Sequence, residues 1–244
     1  VEIMGNLVET YNWRDSGETI NICDGNEVWV AEFYGLGLWA AVRIPDDGFF
    51  VAANRARIDD FKFDDPDNYL CSANLKSFAV ENGLWEEGSE KFSPAEIYAP
   101  DNGVYSTRRE WRTFDLVAPG LGLDPDGLRF PLWVTPENKL SVQDIFELKG
   151  DYYQGTEYDL SLAPEAGPFG NVINDKTIER PINMYRTCYV MIANIKAWLP
   201  DEMKCLVWYG YGAPDTTYLT PLWPSMNELP ELYRTGNRYE KFDR

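Results

Sequence analysis

The fold of this chain is decided by one stretch of its sequence, EVWVAEFYGLGLWAAVRI at residues 27–44. Two runs rich in Val, Ile, Phe and Trp, at 27–34 and 38–44, flank the short segment 35–37, which contains two glycines. Such runs are typical of β-strands, and a short connection with glycine predicts a hairpin. The two strands are expected to pair antiparallel, because parallel strands need a much longer crossover.

Strand signals continue on both sides of this hairpin. Residues 19–23 and 49–54 have a similar composition, and turn residues separate them from the hairpin. Four strands joined by such short connections predict an antiparallel meander. Near the end of the chain, further strands are predicted at 187–195, 205–211 and 218–222.

The segment 35–40 imitates the glycine fingerprint of a dinucleotide-binding site. That fingerprint must open a helix, so that backbone N–H groups and the helix dipole meet the pyrophosphate. Residues 41–45 instead continue the strand pattern, and we interpret the glycines as a hairpin turn. The chain also has neither a phosphate loop nor a Gly-x-Ser-x-Gly nucleophile elbow.

Four helices are predicted between and before these strands. Apolar residues three and four positions apart mark the first one, at the start of the chain over residues 3–11. Ser72, either Ser106 or Thr107, and Ser141 can cap the other three. These three helices are expected over residues 72–82, 106–117 and 141–153. Strands, then helices, then strands predict an α+β fold with antiparallel sheet.

The composition excludes several classes of function. A net charge of −18 argues against a nucleic-acid partner, because phosphate binding needs Lys and Arg to displace counterions. No apolar run reaches the roughly 20 residues that span a bilayer. The chain has no histidine, which excludes a Ser-His-Asp or Cys-His group within it and argues against zinc. The cysteines at 23, 71, 188 and 205 are expected to be buried thiols.

An acidic segment at 59–68 could bind calcium, because Asp64, Asp65, Asp67 and Asn68 supply hard oxygen ligands. The segment lacks the spacing and the distal Glu of an EF-hand loop. A solvated loop is therefore the simpler interpretation, and no cofactor is predicted.

Several strings of this sequence, in order and without large gaps, resemble one family of enzymes. They are EVWVAE at 27–32, WAAVRIPDD at 39–47, DDPDNY at 64–69, YSTRREW at 105–111, DYYQGT at 151–156, GPFG at 167–170 and VWYG at 207–210. Together they resemble the cysteine dipeptidases of the N-terminal-nucleophile (Ntn) hydrolase class. Penicillin and bile-salt acylases are more distant relatives by the same resemblance.

The resemblance implies an αββα sandwich that forms a single domain over residues 1–244. It implies a mature N-terminal cysteine as nucleophile, with its own α-amino group as the base, since that amine titrates near pH ~8. The segment that should carry this cysteine lies before Val1. We therefore expect a chain truncated at its N-terminus and at its C-terminus, and inactive alone. Its uncovered sheet edges would favour a homo-oligomer.

Three residues of this sequence match positions with a role in the family or suit its substrate. The resemblance gives Asn54 the part of oxyanion donor and sets Arg109 close to the nucleophile, where it could lower the thiol pKa or bind a carboxylate. Arg186 is a candidate for binding the C-terminal carboxylate of a dipeptide. The alternatives are a turn role for Asn54, a structural role for Arg186 and a helix-surface role for Arg109, with Arg108 and Arg112 as competitors.

Two other functions remain open at this point. A non-catalytic module for glycans or peptides would present an exposed aromatic platform, and 15% of the residues are aromatic. A glycoside hydrolase would need two carboxyl groups roughly 5–9 Å apart, and the sequence singles out no such pair. The favoured interpretation is the hydrolysis of dipeptides or other small amides.

Overall fold

The stretch at 27–44 forms the central hairpin of a four-stranded antiparallel sheet in the computed structural model, which describes residues 1–11, 17–101, 103–164, 166 and 179–234. The elements in chain order are α1 (Glu2–Tyr11), β1 (Glu18–Cys23), β2 (Val28–Gly35), β3 (Leu38–Ile44), β4 (Phe49–Phe50), β5 (Tyr69–Cys71), α2 (Leu75–Glu81), α3 (Pro94–Tyr98), α4 (Val104–Val117), β6 (Trp133–Val134), α5 (Val142–Lys149), β7 (Tyr189–Ile195), β8 (Cys205–Tyr211), β9 (Thr220–Leu222) and α6 (Glu231–Arg234). Two short 3-10 turns lie between these elements: Pro119–Leu121 after α4 and Pro214–Thr216 after β8.

The pairing of the strands confirms the predicted hairpin and corrects the predicted meander. In the hairpin Val30 lies opposite Val42, and a bulge near Gly35 adjusts the register. The sheet order is β1-β2-β3-β5, so the unpredicted strand β5 takes the place beside β3 that we expected for residues 49–54. Of the strand predicted at 49–54, only Phe49 and Phe50 form a strand, β4, and this strand pairs with β6 instead.

Both faces of the central hairpin are buried, which explains why its strands are apolar without alternation. Leu38, Ala40 and Val42 pack on one face against Ile58, Leu75 and other apolar residues. Trp39 and Ala41 point to the other face and pack with residues that include Val8 of α1. The hairpin therefore lies at the centre of two apolar clusters and orders the segments on both sides of it.

Helix α1 contacts this sheet through a glycine. A Cβ atom on Gly5 would lie 2.2 Å from Cζ2 of Trp39, so only glycine lets the helix approach the indole. The same ring donates a hydrogen bond of 2.8 Å from Nε1 to Oε1 of Glu9. The predicted first helix is thereby confirmed, with its apolar side on β3.

The other predicted helices exist, but two of them begin elsewhere. Helix α2 begins at Leu75 after Asn74, while the hydroxyl of Ser72 accepts a hydrogen bond from the backbone N–H of Trp39. Helix α4 begins at Val104, before both predicted caps. The capping box of Ser141 is confirmed, although α5 ends at Lys149. In the described ranges no helix has the length and apolarity needed to cross a membrane.

Strands β7, β8 and β9 form a separate antiparallel sheet with an aromatic surface. Tyr189 and Tyr211 lie opposite each other and are more than half exposed. Their rings contact those of Tyr209 and Tyr233 in stacked and edge-on pairs. The helices and the antiparallel sheets together confirm the α+β class.

A buried ion network joins α4 to the segment after β4. Nε and Nη2 of Arg55 donate to both carboxylate oxygens of Glu110, with Nη2 at 2.5 Å, and Nε of Arg57 lies 3.3 Å from the same carboxylate. The three side chains are at most 2% exposed. Oε1 of Glu32 on β2 accepts from the backbone N–H of Arg57 at 2.5 Å, so the network reaches the central sheet.

Removal of Glu110 is expected to destabilise the chain strongly. The substitution Glu110→Ala would leave two buried guanidinium groups without a carboxylate, which costs about 3–5 kcal/mol. Urea unfolding followed by circular dichroism measures the change. Glu87→Ala is the matched control, because Glu87 forms an exposed pair with Lys76 and should cost less than about 1 kcal/mol. Equal losses for the two variants would contradict a structural role for the network.

Candidate active site

The side chains of Asn54 and Arg109 meet where the segment after β4 crosses α4. Nη2 of Arg109 donates a hydrogen bond of 2.8 Å to Oδ1 of Asn54. Each residue directly precedes a partner of the buried ion pair, Arg55 and Glu110 respectively. The ion pair therefore sets the distance between the two backbone segments and brings Asn54 and Arg109 together.

This contact fixes the orientation of the Asn54 amide. A guanidinium can only donate, so the atom of Asn54 that it meets must be the oxygen. The amide nitrogen consequently faces away from Arg109, and its two N–H groups remain as donors. Asn54 is exposed, which leaves these donors open to a bound molecule.

Two cavities flank the segment that carries Asn54. The larger, of about 670 Å³, is lined by Asn54 together with residues of β1, β2 and the loop before α4. The smaller, of about 380 Å³, is lined by Arg109 and by Lys149 at the end of α5. Both are bounded by Asn21 and Ala53, so they adjoin each other along residues 52–53. Burial lowers the pKa of the Lys149 ammonium in the smaller cavity.

Arg109 differs from the two other arginines of its helix in its partners. Arg112 forms a bidentate pair with Asp151, at 3.0 and 2.9 Å. Arg108 pairs with Asp126 at 2.9 Å and lies on the ring of Tyr158. In the described part of the chain, Arg109 has no carboxylate within 4.0 Å. Arg108 and Arg112 thus hold the helix in place, and Arg109 keeps its charge available beside the cavity.

The guanidinium groups of Arg109 and Arg180 both lie on the aromatic ring of Tyr105. Cζ of Arg109 lies 4.9 Å from the ring centroid, and Cζ of Arg180 lies 4.6 Å from it. Nε of Arg109 also donates to the backbone oxygen of Tyr105 at 3.0 Å. Burial lowers the pKa of Arg109, and the nearby charge of Arg180 adds to the lowering. Arg109 nevertheless stays protonated at neutral pH.

Arg180 is held in this position by a strained turn. The hydroxyl of Tyr153 donates to the backbone oxygen of Arg180 at 2.6 Å. Tyr153 is fully buried and has a φ of 69°, in the left-handed region that few non-glycine residues adopt. The backbone N–H of Asn183 donates to the oxygen of Asp151, so residues 180–183 lie against residues 151–153.

The structure brings together two of the three site residues that the sequence predicts. Asn54 and Arg109 lie together, whereas Arg186 is exposed ahead of β7 and lines neither cavity. Sequence reasoning missed Arg180 and Tyr105. The resemblance quoted Tyr105 only as part of a string, and no local motif marks Arg180, because its place depends on the distant turn at Tyr153.

The acidic segment and the cysteines do not contribute to this site. Asp59 and Asp60 pair with Lys91 and Lys62, and Asp65 accepts from the amide of Asn68. Across the described ranges, no three Cys, Asp or Glu side chains are grouped so that they could hold a metal ion. The predicted string at 167–170 lies outside the described residues.

The expectation that all four cysteines are buried is wrong. Cys23 and Cys188 are exposed, while Cys71 and Cys205 are half-buried, and all four are free thiols. All four lie at the ends of strands: Cys23 ends β1, Cys71 ends β5, Cys188 directly precedes β7 and Cys205 begins β8. None of the four lines either of the two cavities.

An α+β fold that sets a side-chain amide and a guanidinium beside a cavity is suited to hydrolysis at a carbonyl carbon. This chain belongs to peptidase family C69, whose profile matches residues 1–244. It is 32% identical over 238 residues to a probable dipeptidase of Latilactobacillus sakei, covering 96% of this chain and 48% of that protein. It is 31% identical over 242 residues to a probable dipeptidase B of Lactococcus lactis subsp. lactis strain IL1403, covering 96% and 49%.

A dipeptidase A of Lactobacillus helveticus is 27% identical over 242 residues, covering 98% of this chain and 49% of that protein. The chain thus spans about half the length of the curated relatives it matches.

The reactivity of Cys71 is expected to rise steeply with pH. Burial, with a contribution from Glu9, raises the pKa of its thiol to about 11. Only the thiolate reacts, so alkylation by iodoacetamide should accelerate about tenfold per pH unit between pH 8 and pH 10. Mass spectrometry of the digested peptides measures the rate, and the exposed Cys188 should be labelled faster at pH 8. A rate at Cys71 that levels off near pH 9 would contradict the raised pKa.

Proposed function

We propose that this chain is the part of a cysteine dipeptidase that supplies the oxyanion donor and a substrate-binding arginine. The nucleophile in this proposal is an N-terminal cysteine encoded upstream of Val1, and the complete fold is the αββα sandwich of the Ntn hydrolases. Membership of peptidase family C69 and the dipeptidase names of its relatives support this proposal. The antiparallel sheets and flanking helices are compatible with such a sandwich.

The observation that carries the proposal is the contact between Arg109 and Asn54. It turns the amide nitrogen of Asn54 outwards, where it is free to donate to the carbonyl oxygen of a bound substrate. A donor that is already oriented needs no reorganisation during the reaction, and this is why preorganised donors stabilise the transition state.

The reaction proceeds in two steps. The α-amino group of the cysteine accepts the thiol proton, and the thiolate sulfur attacks the peptide carbonyl carbon to form a C–S bond and an oxyanion. Nδ2 of Asn54 donates to this oxyanion. Its collapse breaks the C–N bond, and the departing amine takes the proton. Water then attacks the thioester carbonyl and passes a proton by way of the α-amino group to the departing sulfur, which releases the N-terminal amino acid of the dipeptide and restores the thiol.

Arg109 has two roles in this proposal. It holds Oδ1 of Asn54, and its positive charge favours the ionised form of a cysteine nearby. Its own neighbours do not neutralise that charge, since the carboxylates of the region are paired with Arg108, Arg112 and Arg55. The free guanidinium therefore suits a site that handles thiolate and carboxylate groups.

Loss of the Asn54 amide is expected to reduce turnover in the full-length enzyme. Asn54→Ala should lower kcat for dipeptide hydrolysis by about 10² or more with little change in KM, because the donor acts on the transition state. Asn227→Ala is the matched control, since Asn227 is exposed and should leave kcat unchanged. Steady-state kinetics on both variants decide the matter, and wild-type turnover by Asn54→Ala would overturn the assigned role.

A further inference from the structure

The two guanidinium groups on the ring of Tyr105 are an unusual feature in this chain. The protein carries 40 Asp and Glu residues against 22 Lys and Arg, yet Arg109 and Arg180 have no carboxylate within 4.0 Å among the described residues. Apart from Arg186, the other described arginines all have one. The two guanidinium groups lie 4.9 and 4.6 Å from the same ring centroid, and a bound anion would offset their like charge.

The place of this arginine pair fits one particular anion. In a dipeptide, only two atoms, N and Cα, separate the carboxylate carbon from the carbonyl carbon that is attacked, so the two carbons lie within about 4 Å of each other. A group that binds the carboxylate must therefore adjoin the oxyanion donor. Arg109 meets this condition directly, because its Nη2 atom contacts Asn54. Arg180 lies on the same ring as Arg109 and adds a second positive charge to this region.

The same geometry would distinguish dipeptides from longer peptides. Each additional residue moves the C-terminal carboxylate by up to about 3.5 Å from the attacked carbonyl. In a longer peptide, a neutral backbone amide would then lie next to the two arginines in place of the charged carboxylate. A charge-assisted hydrogen bond is stronger than a neutral one, so the pair would favour substrates that end immediately after the cleaved bond.

We propose that Arg180, together with Arg109, binds the C-terminal carboxylate of the substrate and thereby determines specificity for dipeptides. This inference rests on the proposed function and assigns to Arg180 the task that the sequence suggested for Arg186. Arg180 is half-buried, its backbone oxygen is held by the hydroxyl of Tyr153, and its guanidinium lies on the ring that Arg109 also contacts, whereas Arg186 is exposed.

The test compares a free dipeptide with its C-terminal amide in the full-length enzyme. With Ala-Leu as substrate, Arg180→Ala should lower kcat/KM by roughly 10–100-fold, mainly through KM, because a hydrogen bond to a charged group is lost. Hydrolysis of Ala-Leu-amide should not change. Arg180→Lys keeps the charge without the planar fork and should fall between the two. Arg234→Ala, on α6, is the control for removal of an exposed arginine.

Three outcomes would overturn the proposal. Equal losses for the free dipeptide and the amide would make Arg180 a structural residue. An unchanged kcat/KM for Ala-Leu would remove it from the site. Loss of discrimination in Arg186→Ala but not in Arg180→Ala would move the carboxylate to Arg186.

A binding measurement separates this inference from the proposed function. Titration calorimetry with leucine and leucinamide detects the carboxylate site without turnover. Wild-type enzyme should bind leucine more tightly, and Arg180→Ala should abolish the difference. A wild-type enzyme that cleaves no dipeptide but still shows the difference would refute the function alone. Equal binding of the two compounds would refute the carboxylate site, whatever the turnover.

Discussion

The buried ion pair between Arg55 and Glu110 is the constraint on which the rest of this structure depends. It joins α4 to the segment that leaves β4, and Arg57 extends it to Glu32 in the central sheet. Burial alone would make these charges costly, so they persist only because each carboxylate oxygen and guanidinium nitrogen has a partner. Since Asn54 and Arg109 each stand one position before a member of the pair, the geometry of the candidate site follows directly from it.

The three arginines of α4 differ in the partners that their guanidinium groups contact. Arg112 and Arg108 are paired with carboxylates and fix the helix to the segments after it. Arg109, between them in sequence, points to the cavity side and meets Asn54 and the ring of Tyr105. Among the described residues of this acidic chain, unpaired positive charge therefore lies beside the cavity, where it would attract an anion.

Local pattern was enough to predict the central hairpin, α1 and the capping box at Ser141, because neighbours in sequence determine these features. It failed where distant residues decide. Residues 49–54 have strand composition, yet β5 occupies the edge of β3 and only Phe49 and Phe50 find a partner strand. Likewise, the choice among Arg108, Arg109 and Arg112 depends on Asp126 and Asp151. The position of Arg180 depends on a buried tyrosine 27 residues earlier, and no motif could mark it.

The central claim is that Arg109 orients the amide of Asn54 so that its nitrogen receives the oxyanion. A crystal structure of the full-length enzyme with a dipeptide aldehyde, bound covalently to the cysteine as a tetrahedral adduct, tests this most directly. The account predicts the adduct oxygen at about 2.7–3.1 Å from Nδ2 of Asn54, with Oδ1 still bound by Arg109. An adduct oxygen that contacts other donors, with Asn54 turned away, would contradict it.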